Sequence, residues 1–248
     1  MPVVPRTRDR SRRSEFVKAR KVEHYYAGRL RAVAKYVGEI IRDMHAPGES
    51  STRLEAALRK YADIIEPWAS SVGARMLAEV NARDEQAWMK TAREMGFSLR
   101  REIEATPIGV RMRELLAEQV SLIKSLPLEA AERVHDLTVK GIEQGTRTAE
   151  ITAEIMRTGE VTLSRANMIA RTEVGRTATT LTQSRAEHID SPGYIWRTAG
   201  DSDVRKSHRA MNGKLVAWND PPTLDGLTGH AGALPNCRCY PEPIVPEV

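Results

Sequence analysis

Hydrophobic residues recur every three or four positions through most of the first 190 residues. One long stretch of this kind runs from Phe16 to about Met44. This spacing places the apolar side chains on one face of an α-helix. Glycine and proline are scarce here, and Pro47, Gly96 and Pro127 predict helix ends. We predict that this part is all-α, with further helices at about 52–66, 67–95, 107–126, 130–142, 148–156 and 164–189.

Beyond residue 190 glycine and proline become frequent and the helical spacing disappears. Tyr194–Arg197 and Lys214–Trp218 are short runs with aromatic and β-branched residues, which predict strands. A short helix is expected at Val204–Met211, and Asn212-Gly213 is a strong turn signal. The predicted fold class is therefore a mainly α N-terminal helical domain followed by a small α+β C-terminal module.

The formal net charge of +5 is distributed unevenly. Residues 1–21 hold eight basic and two acidic side chains, so the remaining chain sums to −1. We predict three segments: a flexible basic arm at 1–21, a helical domain at 22–144, and a domain at 145–248 that holds the last helix and the α+β module. A basic arm can bind phosphates or an acidic protein surface, or it can be a solvated terminus without a specific partner. The arginines proposed for such binding are Arg6, Arg8, Arg10, Arg12 and Arg13.

The overall composition indicates a globular protein, with 41% hydrophobic and 29% charged residues. No apolar run approaches the roughly 20 residues that a membrane span requires. The N-terminus shows no signal-peptide pattern, so we expect the protein to stay in the cytoplasm where it is made and to leave it only as part of a particle. A glycine-rich phosphate loop, a nucleophile elbow and a His-Glu-x-x-His motif are absent from the sequence.

Two cysteines, Cys237 and Cys239, are separated by a single residue. A disulfide across so short a spacing would be strained, and a reducing cytoplasm disfavours it. Together with His208 and His230 they supply four nitrogen or sulfur ligands, which is the set that a structural zinc ion takes. The alternative is that the cysteines are small buried hydrophobic residues and the histidines are ordinary polar ones.

Acidic and basic side chains cluster around His208. Asp201, Asp203, Arg205 and His208 fall within eight positions, a set that a metal-dependent nuclease or hydrolase could use. We favour a structural role, in which Asp201 or Asp203 caps the short helix and Arg205 forms a bidentate ion pair with Glu173 on the last long helix. The residues predicted to form this structural polar contact are Arg171, Glu173, Asp203 and Arg205.

An ordered set of short motifs connects these residues. It comprises Arg171-Thr172-Glu173, Tyr194-Ile195-Trp196, Asp203-Val204-Arg205, His208, Asn212-Gly213, Trp218 and Pro235-Asn236-Cys237-Arg238-Cys239. Over about residues 145–245 this order resembles the phage Mu F-like head-morphogenesis domain of minor head proteins. One departure is that the family often has His-Pro close before Asn-Cys-x-Cys, whereas His230 lies further ahead here. The resemblance implies a minor head protein of the virion, present in a few copies near the portal vertex.

The predicted function is therefore non-enzymatic phage head assembly or DNA ejection. The expected partners are the portal protein and capsid or scaffold proteins, with packaged DNA as a candidate for the basic arm and no membrane. The expected location is the capsid interior or portal vertex, and the host cytoplasm during assembly. No cofactor is required, and zinc remains open. The alternatives are a metal-dependent nuclease or toxin-like hydrolase that uses the His/Cys/Asp cluster, and a plain DNA-binding protein driven by residues 1–21.

Overall fold

The computed structural model describes residues 16, 19–45, 51–93, 104–144 and 146–246. Its helices are α1 Arg20–Met44, α2 Thr52–Ile64, α3 Glu66–Arg93, α4 Gly109–Glu143, α5 Thr148–Met156, α6 Thr158–His188 and, within the C-terminal region, α7 Lys206–Ala210. Its strands are β1 Gly193–Thr198, β2 Leu215–Ala217, β3 Thr223–Leu224, β4 Leu227–Thr228 and β5 Cys239–Pro243. The predicted fold class, helices followed by a small α+β module, is confirmed.

The described chain divides into two compact units. The described residues within 23–76 and 114–170 form one unit, and the described residues within 1–22, 77–113 and 171–248 form the other. We call them the helical unit and the module unit. No helix in the described ranges is long and apolar enough to cross a membrane. The division into domains at residue 145 stays a prediction.

One predicted helix end in the helical unit is wrong. Pro127 was expected to end a helix, but it lies inside the continuous helix α4 and is buried. Proline inside a helix costs about 3 kcal/mol because it removes one backbone hydrogen bond and crowds the preceding turn. The neighbouring turns bury Leu126, Ala130 and Val134, and burial of such side chains offsets that cost. Tertiary packing therefore overrides the local signal.

A second difference concerns Gly159, which lies between the helices predicted at about 148–156 and 164–189. It falls in the first turn of α6, which begins at Thr158 and not at about residue 164. A Cβ added at Gly159 would lie 3.2 Å from the Cα of Gly38 in α1. The glycine therefore serves the close approach of two helices, and its role cannot be recognised from local sequence.

The module unit contains a three-stranded antiparallel sheet in the order β2-β1-β5. Strands β1 and β2 match the predicted strands. β5 carries two prolines, and in the register Pro241 faces Trp196 and Pro243 faces Tyr194. Proline has no backbone N–H to donate to a neighbouring strand. It is therefore tolerated mainly on edge strands, and β5 is an edge strand of this sheet. The aromatic core of the unit consists chiefly of Trp88, Tyr194, Trp196 and Trp218, packed with Leu234, Cys237 and Cys239.

A buried polar network joins α3 to α6 in the same unit. Arg185 donates from Nη1 to Asp84 Oδ2 at 2.5 Å and from Nη2 to Asn81 Oδ1 at 2.8 Å. The Thr182 hydroxyl donates to the other oxygen of Asp84. The side chains of Asp84 and Arg185 are 4% and 3% exposed. Burial raises the pKa of Asp84 to about 6, against the opposing effects of Arg185 and Thr182.

A candidate metal centre in the C-terminal module

Three buried side chains bring their metal-ligating atoms together in the module unit. His208 Nδ1 lies 3.4 Å from the Sγ of Cys237 and 3.6 Å from the Sγ of Cys239. All three ligand atoms lie within 4.8 Å of one another. The residues are 1%, 2% and 1% exposed, respectively. The structure thus collects three of the four predicted metal ligands in one place.

Local backbone geometry explains why cysteines separated by one residue converge. Cys239 opens β5, and Cys237 follows a turn in which Asn236 has a φ of 53°. The Cys237 N–H closes this turn on the Leu234 carbonyl at 3.0 Å. Side chains two positions apart along an extended chain lie on the same side. The single intervening residue is therefore compatible with a shared site.

The residue between the cysteines, Arg238, anchors the segment that precedes the short helix. Its guanidinium donates to Asp201 Oδ2 at 2.5 Å and to Asp203 Oδ2 at 2.9 Å. Asp201 or Asp203 was expected to cap α7, but the N-cap residue of this helix is Arg205. The two aspartates pair with Arg238. Sequence reasoning missed Arg238, although a residue between two converging side chains must face the other way and is free to bind elsewhere.

Arg205 contacts the site from its outer side. Its Nη1 lies 3.3 Å from His208 Nε2, and its Nη2 donates to the Pro235 carbonyl. The predicted pair of Arg205 with Glu173 stays a prediction. Glu173 accepts a hydrogen bond from Arg176, with 3.0 Å between Nη2 and Oε2. Arg171 is half-buried on the same helix.

The contact of Arg205 restricts the protonation of His208. A guanidinium has only donors, so His208 Nε2 must be unprotonated in order to accept from it. A neutral imidazole then carries its proton on Nδ1, which faces the two sulfur atoms. A metal bond at Nδ1 requires the opposite tautomer. The contacts of the triad are therefore those of the hydrogen-bonded tautomer, and a metal at Nδ1 would require the other tautomer.

The sulfur atoms are suited to either arrangement. A hydrogen bond from the Cys239 thiol is the main cause that lowers the pKa of Cys237 to about 5. Burial opposes this effect, and hydrogen bonds from the backbone N–H groups of Cys239 and Gly232 support it. The thiolate is the form of cysteine that binds metals and attacks electrophiles. With Cys237 2% exposed, access for an electrophile is poor, which favours the structural use.

His230 occupies a different environment. Its Nδ1 lies 3.2 Å from the Tyr194 hydroxyl, which accepts a hydrogen bond from the Ala231 N–H at 3.1 Å. The Tyr194 hydroxyl is therefore placed to donate to His230. The rings of Tyr194 and Trp218 both lie 5.6 Å from the imidazole, edge to face. Burial lowers the pKa of His230, so the neutral form fits this aromatic setting.

The predicted nucleic-acid or acidic-surface residues of the arm lie outside the described residues. These are Arg6, Arg8, Arg10, Arg12 and Arg13. Their role stays a prediction that rests on charge alone.

The site lies within a segment that matches a known family. Residues 132–241 match the family model described as Phage Mu protein F like protein. The chain carries a Mu F-like domain. The matched segment includes all four predicted metal ligands and the predicted polar contact residues. The family predicted from the ordered motifs is therefore confirmed for this segment.

Three curated relatives extend this comparison. The chain is 29% identical to an uncharacterized protein of Haemophilus influenzae, over 60% of this chain and 33% of that protein. It is 31% identical to the NAD(+)--arginine ADP-ribosyltransferase EFV of Enterococcus faecalis, over 45% of this chain and 25% of that protein. It is 21% identical to Minor head protein GP7 of Bacillus phage SPP1, over 89% of this chain and 80% of that protein.

The chain thus spans only about a third and a quarter of the first two relatives. No solved structure matches the chain.

Proposed function

We propose that this chain is a minor head protein of a phage. It binds the portal or the inner capsid wall during head assembly or DNA ejection, and it acts by positioning, without catalysing a reaction. The observation that carries the proposal is the similarity to the minor head protein of Bacillus phage SPP1, which covers 89% of this chain and 80% of that protein. This coverage extends beyond the Mu F-like segment at 132–241 into the N-terminal helices.

The contacts of the charged side chains support positioning over catalysis. Both candidate carboxylates, Asp201 and Asp203, are bound by Arg238. His208 is 1% exposed and faces two sulfur atoms. A general base must reach the proton that it removes from a substrate. Groups that are buried or paired in this way instead stabilise the loops of the module.

The enzymatic alternative has one observation in its favour, which is the relative named as an ADP-ribosyltransferase. The match covers only 25% of that protein, so most of the protein to which the name applies lies outside the similarity. A metal-dependent nuclease or toxin-like hydrolase remains the second candidate because the His/Cys cluster is able to hold a metal. It predicts hydrolysis of nucleic acid that stops when a chelator is added.

Co-assembly tests the proposed function. The chain is expressed with the portal and major capsid proteins of its phage, and the resulting particles are separated by sedimentation. We expect the chain to sediment with particles that contain portal and to be lost when portal is omitted. Particles that contain portal, assemble normally and carry none of the chain would contradict the proposal. The same purified chain is assayed for hydrolysis of nucleic acid with and without chelator, which tests the alternative directly.

A matched variant separates the role of the basic arm at 1–21 from that of the remaining chain. Replacing the five arginines between residues 6 and 13 with glutamine leaves the described part of the chain unchanged in sequence. If the arm contacts DNA, this variant enters empty particles normally but binds DNA more weakly. If the arm binds an acidic protein surface, incorporation itself falls.

A further inference from the structure

We propose that His208 Nδ1, Cys237 Sγ and Cys239 Sγ bind one zinc ion, and that His230 is not a ligand. The site is independent of the assembly role, because binding of an ion by the purified chain does not require any head component. The evidence is the geometry of the three ligand atoms, their burial and the partners of the surrounding residues.

The first argument is metric. Zinc–sulfur bonds are about 2.3 Å and zinc–nitrogen bonds about 2.0–2.1 Å, and a tetrahedral angle between them places nitrogen and sulfur about 3.6 Å apart. The observed separations from His208 Nδ1 are 3.4 Å to Cys237 and 3.6 Å to Cys239. An ion fits between these atoms with little change in side-chain position. Two sulfur ligands and one imidazole nitrogen form a donor set that favours zinc over hard cations such as magnesium.

The second argument concerns the support of the ligands. Cys237 and Cys239 are fixed by the turn at Asn236 and by the pairing of β5 with β1. His208 packs edge to face on Trp196, with 5.6 Å between ring centroids. Ligands that are held by surrounding packing lose little freedom when they bind, which favours binding at a preorganised site.

The third argument excludes His230 from the ligand set. Its Nδ1 is 3.2 Å from the Tyr194 hydroxyl, and Tyr194 and Trp218 enclose its ring. The group of ligand atoms within 4.8 Å of one another contains His208, Cys237 and Cys239. Three protein ligands leave one position of the tetrahedron for a water molecule or another small ligand.

The contact of Arg205 links zinc binding to the position of the proton on the His208 imidazole. Zinc at His208 Nδ1 moves the imidazole proton to Nε2, which then cannot accept from Arg205. The Arg205 guanidinium retains its bond to the Pro235 carbonyl. Zinc binding therefore breaks the Arg205–His208 contact, and Arg205→Met should bind the ion at least as tightly as the unsubstituted chain.

Titration of the untagged full-length chain with cobalt and then zinc tests the site. The chain is first freed of metal with a chelator. We expect one equivalent of Co²⁺ to produce a thiolate-to-cobalt absorption band in the near ultraviolet, and one equivalent of Zn²⁺ to abolish it. Cys237→Ser, Cys239→Ser and His208→Gln should each weaken Zn²⁺ binding by more than the roughly 10–100-fold that loss of an outer partner costs. His230→Gln is the matched control and should bind one ion with unchanged affinity.

Circular dichroism first shows which variants are folded, and the outcomes of the folded ones then separate the possibilities. Absence of the thiolate band in the unsubstituted chain overturns the site. Loss of the ion from His230→Gln overturns the three-ligand assignment. Retention of the ion in the folded cysteine variants also overturns it. Weaker binding by Arg205→Met overturns the assignment of the proton. Native mass spectrometry of each sample gives the number of ions per chain.

Discussion

Lowering the pH should stabilise the module unit through Asp84. This carboxyl group is buried between α3 and α6, and its pKa is raised from 3.8 to about 6. Burial disfavours the charged form by more than Arg185 and Thr182 favour it. The native state therefore holds a proton more tightly than the unfolded chain does. The stability contributed by this proton is complete below pH 3.8 and is lost as the pH rises through 6.

The magnitude follows from the two pKa values. Values of about 6 in the native state and 3.8 in the unfolded state correspond to about 3 kcal/mol in the free energy of unfolding. More than half of this stabilisation is gained below pH 5, where many other groups also titrate. Between pH 7 and pH 5 the expected gain is roughly 1 kcal/mol.

Comparison with Asp84→Asn isolates this group. Asparagine keeps the size and the acceptor oxygen of the side chain but does not titrate. Urea unfolding at pH 7, 6 and 5, followed by tryptophan fluorescence, reports chiefly on the module unit, which holds three of the four tryptophans. The free-energy difference between the original chain and the variant should shift by roughly 1 kcal/mol in favour of the original as the pH falls from 7 to 5.

A surface pair provides the control. Glu39 lies 3.8 Å from Lys35 on α1, and these side chains are 39% and 78% exposed. Exposed ion pairs contribute about 0–1 kcal/mol to stability. The difference in the free energy of unfolding between the original chain and Glu39→Gln should therefore change little over the same pH range. If the original chain instead loses stability relative to Asp84→Asn on acidification, the ion pair with Arg185 outweighs burial, and the reasoning is refuted.

Three further predictions concern the arm and the sheet. Replacing the five arginines of the arm with glutamine should make the binding of duplex DNA less sensitive to salt. The slope of log K against the logarithm of the salt concentration should fall in magnitude by up to about 4–5 if each arginine contacts one phosphate. An unchanged slope, measured by fluorescence anisotropy, would exclude the arm from DNA binding. Gly193→Ala should destabilise the chain by about 1–3 kcal/mol because its Cβ would lie 2.3 Å from the Val216 carbonyl oxygen. In the matched variant Gly28→Ala the one described atom within 4 Å of the Cβ is the tip of the Arg31 side chain at 3.8 Å, so helix propensity should raise stability by up to about 1 kcal/mol. Equal effects of the two substitutions in thermal unfolding would contradict the steric argument. Ser191→Ala should cost about 1–3 kcal/mol because Trp218 Nε1 donates to the Ser191 hydroxyl at 3.2 Å within the core; an unchanged melting temperature would show that the buried indole finds another partner.

The sequence by itself determined the class of the fold and the family of the segment at 132–241. Apolar spacing along a helix and the change in glycine and proline content are local properties, so they predict helices up to about residue 190 and strands at 194–197 and 214–218. The ordered motifs that end in Asn-Cys-Arg-Cys predicted the Mu F-like family, which the match at 132–241 confirms. These signals survive in sequence because each depends on neighbouring residues or on a fixed order along the chain.

Tertiary structure decided which distant side chains meet. Pro127 continues a helix because its neighbours are buried, and Asp84 finds Arg185 about a hundred residues away. Of the two histidines considered for a metal, only His208 faces the cysteines, whereas His230 lies against Tyr194 and Trp218. Spacing along the chain constrains a side chain only within a helix turn or a strand. Contacts over longer separations depend on how the helices and the sheet pack, and this packing selects the members of the site.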